Sequence, residues 1–265
     1  MAEKNPLDRR KDSQSFDTVA GLYDQYRPDY PQELVDSTIA LSRLPQGGRI
    51  LEIGSGTGKA TRLFARRGYA IHCIEPGAHL AQVAAHNLQE YPQLSFEISR
   101  FEQAQEQSAA FDLVMSAQAF HWVSREIGFP KAARALKPSG SLALFWNIHP
   151  GLHGQIATDL DEIYRKITPE LESPHAAIQE TIQEHRDEIT RSACFGPVTI
   201  RRFPWSRTYQ TREYIGLLNT YSDHLRLQVQ TRQRLFEAIA AVIATHGGLI
   251  EKEYIAVLFI AQKPS

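Results

Sequence analysis

R-I-L-E-I-G-S-G-T-G, residues 49–58, decides how the rest of the chain is read. A short run rich in Ile and Leu fits a buried strand. Gly54, Gly56 and Gly58 then let the backbone turn sharply and approach a ligand closely, since no Cβ stands in the way. The following K-A-T-R-L-F-A-R-R reads as a helix. Arg66 and Arg67 suit the negative end of its dipole, and Gly68 suits its stop.

The same strand-then-helix rhythm continues outward. Apolar runs recur as A-I-H-C-I-E (70–75), L-S-F-E-I (94–98), F-D-L-V-M-S (111–116) and S-L-A-L-F-W (141–146). Each is nearly continuous and bounded by turn residues, as expected of parallel strands covered on both faces. The helix between the second and third runs stops before Pro92. Another starts with Ser124 as N-cap and ends at Lys137-Pro138-Ser139-Gly140. Repeated alternation of this kind predicts an α/β fold with a doubly wound, mostly parallel sheet.

After Trp146 the rhythm changes. Ile156, Leu160, Ile163 and Ile167, and then Ile178, Ile182, His185 and Ile189, recur at three- and four-residue spacing. They predict two amphipathic helices, with Thr168-Pro169 and Ser173-Pro174 punctuating the gap. We read residues 150–195 as a helical cap inserted into the fold. Residues 197–209 look extended, and Leu235, Ile239, Val242 and His246 mark a helix ending at Gly247-Gly248. Y-I-A-V-L-F-I-A (254–261) is a buried strand. The expected organisation is a flexible arm over 1–15, a cap segment over 16–48, a ligand-binding core over 49–149, the insertion over 150–195, and a C-terminal part over 196–265 that completes the sheet.

Composition bounds the function. The chain has 265 residues, 42% of them hydrophobic and 22% charged, enough for a large filled core. Lys plus Arg number 29 against 30 Asp plus Glu, for a net charge of −1. That balance, with no basic stripe, argues against nucleic acid and favours a small substrate. No stretch approaches the roughly 18 apolar residues of a membrane span, and the polar start lacks the apolar centre of a signal peptide. Cys73 and Cys194 lie in unrelated contexts and form no metal site by themselves. His149 and His153 flank a Pro-Gly that prevents them from sharing a helical face, so no metal is expected. A cytoplasmic protein, monomer or homodimer, is the default expectation.

The glycine spacing separates ligands. A dinucleotide fingerprint has glycine at its first, third and sixth positions. Counting from Gly54, the sixth position is Lys59. A phosphate loop of the NTPase kind needs Ser or Thr after Gly-Lys, and here Ala60 follows. Both phosphate readings fail.

L-E-I-G-S-G-T-G (51–58) resembles the first motif of the class I S-adenosylmethionine-dependent methyltransferases, and the resemblance extends over about residues 16–146 and the closing strand. It implies a Rossmann-like sheet of seven strands, S-adenosyl-L-methionine (SAM) as cofactor, and methylation of oxygen, nitrogen or carbon on a small molecule, possible acceptors including a carboxylate. SAM carries an ammonium, a carboxylate, a sulfonium and an adenosine, and no phosphate. By the resemblance, Gly54, Ser55, Gly56 and Gly58 cradle it, and Glu52 holds the ammonium directly or through water. Glu75, before Pro76 at the end of the second strand, takes the ribose hydroxyls, and Leu80 lies against adenine. Ser99-Arg100-Phe101-Glu102 occupies the place of the adenine contacts. Arg100 and Phe101 depart from the usual small-then-acidic pair, and Phe101 fits a core position equally well.

Upstream, F-D-T-V-A-G-L-Y-D-Q-Y-R-P-D-Y-P (16–31) resembles the cap segment of the branch that includes trans-aconitate methyltransferases. There Tyr23 and Arg27 would close over the cofactor, Arg27 pairing with a carboxylate of cofactor or substrate. A helix docked for stability alone is the competing reading. After the fourth strand, S-A-Q-A-F-H-W (116–122) would offer Ser116 and Ala117 carbonyls to the ammonium, with Gln118, His121 and Trp122 on the methyl-transfer side. His121 is the candidate general base, its intrinsic pKa lying near neutrality; packing against the cofactor is the alternative. Methyl transfer from an activated sulfonium needs no base where alignment suffices. Trp146, Trp205, Arg207, Tyr221, Asp223 and His224 form a polar-aromatic group suited to an acceptor pocket or to packing under the cap. Two rivals share the architecture: a protein that binds SAM or its product without turnover, and an NAD-type oxidoreductase, which Lys59 opposes.

Overall fold

The computed structural model describes residues 16–105, 107–171 and 178–264. The arm over 1–15 and Ser173-Pro174 lie outside them. Seven strands form one sheet: β1 (Arg49–Ile53), β2 (Ala70–Ile74), β3 (Leu94–Glu97), β4 (Phe111–Ala117), β5 (Leu136–Ile148), β6 (Thr199–Gln210) and β7 (Leu249–Gln262). Their order is β3-β2-β1-β4-β5-β7-β6. The first five run parallel, and β7 is antiparallel to both β5 and β6. The order turns back between β1 and β4, so a crevice opens at the carboxyl ends of those strands.

Alternation along each strand divides the core. Leu51 and Ile53, Val114, Leu142 and Leu144, and Val257 and Phe259 face one side. Ile50, Leu113 and Met115, Ala143 and Phe145, and Ala256 and Leu258 face the other. The helices α1 (Ala20–Tyr26), α2 (Gln32–Ser42), α3 (Lys59–Ala65), α4 (Ala78–Asn87) and α5 (Arg125–Ala135) precede the insertion. On the second face α2 sends Leu34 and Val35 inward and α3 sends Phe64. Full burial of a side chain such as Phe64 stabilises by about 1.5–3 kcal/mol. On the first face α5 contributes Phe129 and Ala132.

Both amphipathic helices of the insertion form, as α6 (Gly154–Ile167) and α7 (Ile178–Arg191). Their destinations differ. Helix α7 lays Ile182 and Ile189 on the first sheet face, where His185 stacks on Trp146 at 4.0 Å and 5°. It thus lies against the sheet, because its apolar stripe meets the apolar Trp146 and Phe259. Helix α6 joins a third cluster with α8 (Thr211–Leu218) and α10 (Val229–Thr245), through Leu160, Leu217 and Ile239; α9 (Ser222–Leu225) lies between those two helices in the chain. The 137–140 stretch, expected to end a helix, begins β5 instead. The register slips there, from Phe111 opposite Leu136 to Leu113 opposite Ser141, with Ser139 at φ +62°.

Among the described residues no helix is long and apolar enough to cross a membrane.

Candidate active site

The carboxyl ends of β1, β2 and β4 open into a cavity of ≈ 420 Å³. Its floor is the glycine turn. Gly54 takes φ +71°, and its N–H donates to the Ile74 carbonyl at 2.8 Å, tying β1 to β2. A Cβ at Gly54 would collide with the Ala119 methyl, so the glycine supplies room as well as a left-handed turn.

Glu75, one residue past β2, is a buried acid of this site. Its carboxylate lines the cavity although the residue is only 6% exposed. Oε2 accepts the Gly56 N–H and Oε1 the Gly77 N–H, each at 2.8 Å. One lone pair on each oxygen is thereby fixed and the others are left for a ligand. Burial pushes the Glu75 pKa up, and the two backbone N–H groups pull against that.

Glu52, expected to hold the cofactor's ammonium directly or through water, lies outside the cavity wall. Alternation along β1 sends its side chain to the α3 face, fully buried, where Thr61 Oγ1 donates to Oε2 at 2.6 Å. Oε1 is buried without a partner, and burial pushes the pKa to about 8. Glu52 is not among the cavity walls, and neither are Gly58 and Ser116. Ser116 Oγ donates to the Ile53 carbonyl beneath the site, at 2.7 Å. Ser55 borders a small adjoining pocket instead.

The other anticipated residues converge. Tyr23, Arg27, Pro76, Leu80, Arg100, Phe101, Glu102, Ala117, Gln118, His121 and Trp122 all line the main cavity. Phe101 does so from a core position, only 3% exposed. Arg27 is already engaged. Its Nε donates to Thr220 Oγ1 at 2.8 Å and its Nη2 to the Thr220 carbonyl at 2.6 Å, and its guanidinium lies 4.6 Å from the Tyr221 ring centre. It therefore ties the N-terminal segment to the stretch after α8. Asp17 ties the same segment to α4, accepting the His79 and Leu80 N–H groups at 2.8 and 3.0 Å. His121 Nδ1 accepts the Trp146 indole N–H at 3.2 Å. A neutral ring so held carries its proton on Nε2, making that nitrogen a donor.

Several cavity residues were given no cofactor role by the sequence. Phe16, His149, Ser222 and Arg226 join Tyr221 and Asp223 in the wall. His149 directly follows β5, and its place at a carboxyl strand end was the available signal. Trp205 and Arg207 are not in that wall; the Trp205 indole donates to Asn147 Oδ1 at 3.0 Å.

Comparison with known proteins bears on the domain that carries this cavity. A model of the methyltransferase domain matches residues 51–144, which hold the glycine turn, Glu75 and β4. An uncharacterized methyltransferase of Mycobacterium tuberculosis is 27% identical over 252 residues, 95% of each chain. A malonyl-[acyl-carrier protein] O-methyltransferase of Geobacter sulfurreducens is 30% identical over 143 residues, 52% of this chain and 53% of that protein. Among solved structures, a Haemonchus contortus phosphoethanolamine N-methyltransferase bound to S-adenosylhomocysteine has a TM-score of 0.56 at 16% identity, covering 99% of this chain and 61% of that one. At that identity the likeness concerns the fold. The sheet order, the family match and these relatives converge: residues 51–144 form a methyltransferase domain, and the chain is a SAM-dependent methyltransferase with SAM as its cofactor.

Proposed function

We propose that the ≈ 420 Å³ cavity seats SAM and that the enzyme methylates a small molecule admitted beside it. The observation that carries this is the Glu75 carboxylate, held by two backbone N–H groups and turned into a cavity whose turn has no room for a side chain at Gly54. Bidentate acceptance of ribose hydroxyls suits that geometry. Leu80, Ile74 and Phe101 supply apolar walls for a flat ring, and Gly54 and Gly56 leave the backbone open to the amino-acid end. Bound there, SAM supplies a methyl group already activated on a sulfonium.

The chain's own residues then position and shield. Phe16 makes edge-to-face contacts with Tyr23 and Trp122 at about 6 Å, an aromatic group suited to shielding a bound donor from water. Arg27, fixed by Thr220, keeps that aromatic lid against Tyr221. His121, as an Nε2 donor, suits orientation of an acceptor rather than removal of its proton. The near-neutral net charge and the closure of the wall by residues 221–226 favour a small acceptor over a macromolecule.

Calorimetric titration with S-adenosylhomocysteine should show one saturable site, weakened about tenfold or more in Glu75→Ala. Radiolabel from SAM should enter small-molecule extracts. Absence of binding at millimolar ligand, or label transferred only to protein or nucleic acid, would overturn the reading.

A further inference from the structure

Strand β7 alternates at its start. Leu249, Glu251 and Glu253 face out, while Ile250, Lys252 and Tyr254 turn inward and are 2%, 4% and 3% exposed. An inward position on a half-buried strand ordinarily belongs to an apolar residue. Directly across the ladder from Lys252, on β6, stands Arg207. Paired positions share a face, so no acidic residue stands opposite Lys252 on the neighbouring strand.

No hydrogen bond or ion pair reaches the Lys252 ammonium among the described residues; its recorded contact is the Tyr254 ring, 5.7 Å away. Burial, with Arg27 adding repulsion, lowers its pKa to about 8, so most of it remains charged at neutral pH. A buried cation without a counter-ion is costly unless a ligand supplies one.

Lys252 borders a recess of ≈ 90 Å³, roofed by Leu160 and Tyr164 of α6. The recess shares His149, Tyr221 and Asp223 with the main cavity. His149 Nδ1 is buried there without a partner, and burial together with Lys252 and Arg27 drives its pKa to about 3, leaving the ring neutral. Asp161 and Asp223 also border the recess. Asp223 is committed elsewhere: its Oδ1 bonds His224 Nδ1 at 2.7 Å, and His224 Nε2 bonds Tyr164 Oη at 2.8 Å. The space equals that of about three waters, enough for a carboxylate head and too little for a whole acceptor.

We propose that this recess is the anchoring end of the acceptor site, in which Lys252 holds a carboxylate of the acceptor while its reacting end extends past Tyr221 and Asp223 into the main cavity. The proposal rests on the main cavity seating the donor beside a small acceptor. One ammonium balances one carboxylate. A phosphate dianion calls for more donors than the recess offers.

The test uses protein saturated with S-adenosylhomocysteine, titrated by calorimetry with glutarate, adipate and benzoate, each beside its amide. At least one acid should bind in preference to its amide. Lys252→Met should weaken that acid about 10- to 100-fold and Lys252→Arg should retain most of it. In the wild type, binding should fall from about pH 7 to about pH 9 as Lys252 loses its proton, a decline absent from Lys252→Met. The pH profile decides the matter in wild-type protein if Lys252→Met does not fold. Normal S-adenosylhomocysteine binding with no preference for acid over amide, or with a preference that survives in Lys252→Met, overturns the anchor alone. Failure of S-adenosylhomocysteine to bind the wild type overturns the donor site, and the anchor with it.

Discussion

Replacing Glu52 by Gln should turn a pH-dependent weakness of the fold into a pH-independent one. The carboxyl is fully buried, one oxygen accepts from Thr61, the other has no partner, and burial raises its pKa from 4.5 to about 8. A folded-state value above the unfolded one means that the folded protein holds the proton more tightly. The resulting contribution is complete below about pH 4.5, shrinks as the pH rises, and is gone above about pH 8. That displacement corresponds to ~5 kcal/mol across the window. This is comparable to the whole stability of many domains, so the loss is readily measured.

Gln keeps an oxygen for Thr61 and cannot ionise. Its amide N–H₂ lacks an acceptor at any pH, a constant cost of about 1–3 kcal/mol. Urea unfolding followed by circular dichroism, at several pH values between about 5 and 8, separates the two effects. Wild type should lose at least ~2 kcal/mol relative to Glu52→Gln over that interval. Two stability curves that stay parallel would show that Glu52 is ionised in the folded state. The placement of this acid as a buried proton holder rather than an ammonium ligand would then be wrong.

Gly54→Ala should destabilise the protein by about 1–3 kcal/mol, because φ +71° disfavours a side chain and the new methyl meets Ala119; a melting temperature equal to wild type would contradict this. Arg27→Lys removes the paired bonds to Thr220 and should weaken S-adenosylhomocysteine binding about 3- to 30-fold, read by calorimetry, with unchanged affinity counting against a lid held by this contact. Trp146→Phe keeps a ring against His185 and deletes the N–H that His121 Nδ1 accepts. Nitrogen-15 spectra should therefore show one tautomer for His121 in the wild type and a mixture in the variant, and identical spectra would refute the donor role.

The parts of this molecule written in its sequence are those set by local chemistry. Apolar runs bounded by turn residues made β1 to β5 legible, and the glycine spacing by itself argues against a dinucleotide or NTPase phosphate loop. Glu75 was legible because the end of a parallel strand has a fixed place in such a sheet. Glu52 lies only two residues before Gly54, and motif position pointed it at the ligand. The period-two parity of β1 decided otherwise, placing it with Ile50 on the α3 face. Helix α7 shows a similar limit. Its spacing predicts the helix, but its docking against Trp146 depends on which apolar surface the sheet leaves uncovered. The wall beyond the cofactor motifs was only partly legible: Tyr221 and Asp223 stood out as a polar-aromatic group, while His149 and Lys252 come from segments far from them in the chain. Arg27 binds Thr220, which brings Tyr221 and Asp223 over the crevice, and β7 returns antiparallel to place Lys252 beside them. In Glu251-Lys252-Glu253 the lysine looks like one more solvated charge. Only the strand's start at Leu249 turns it inward, so the residue most informative about the acceptor is the one that composition and motif describe least.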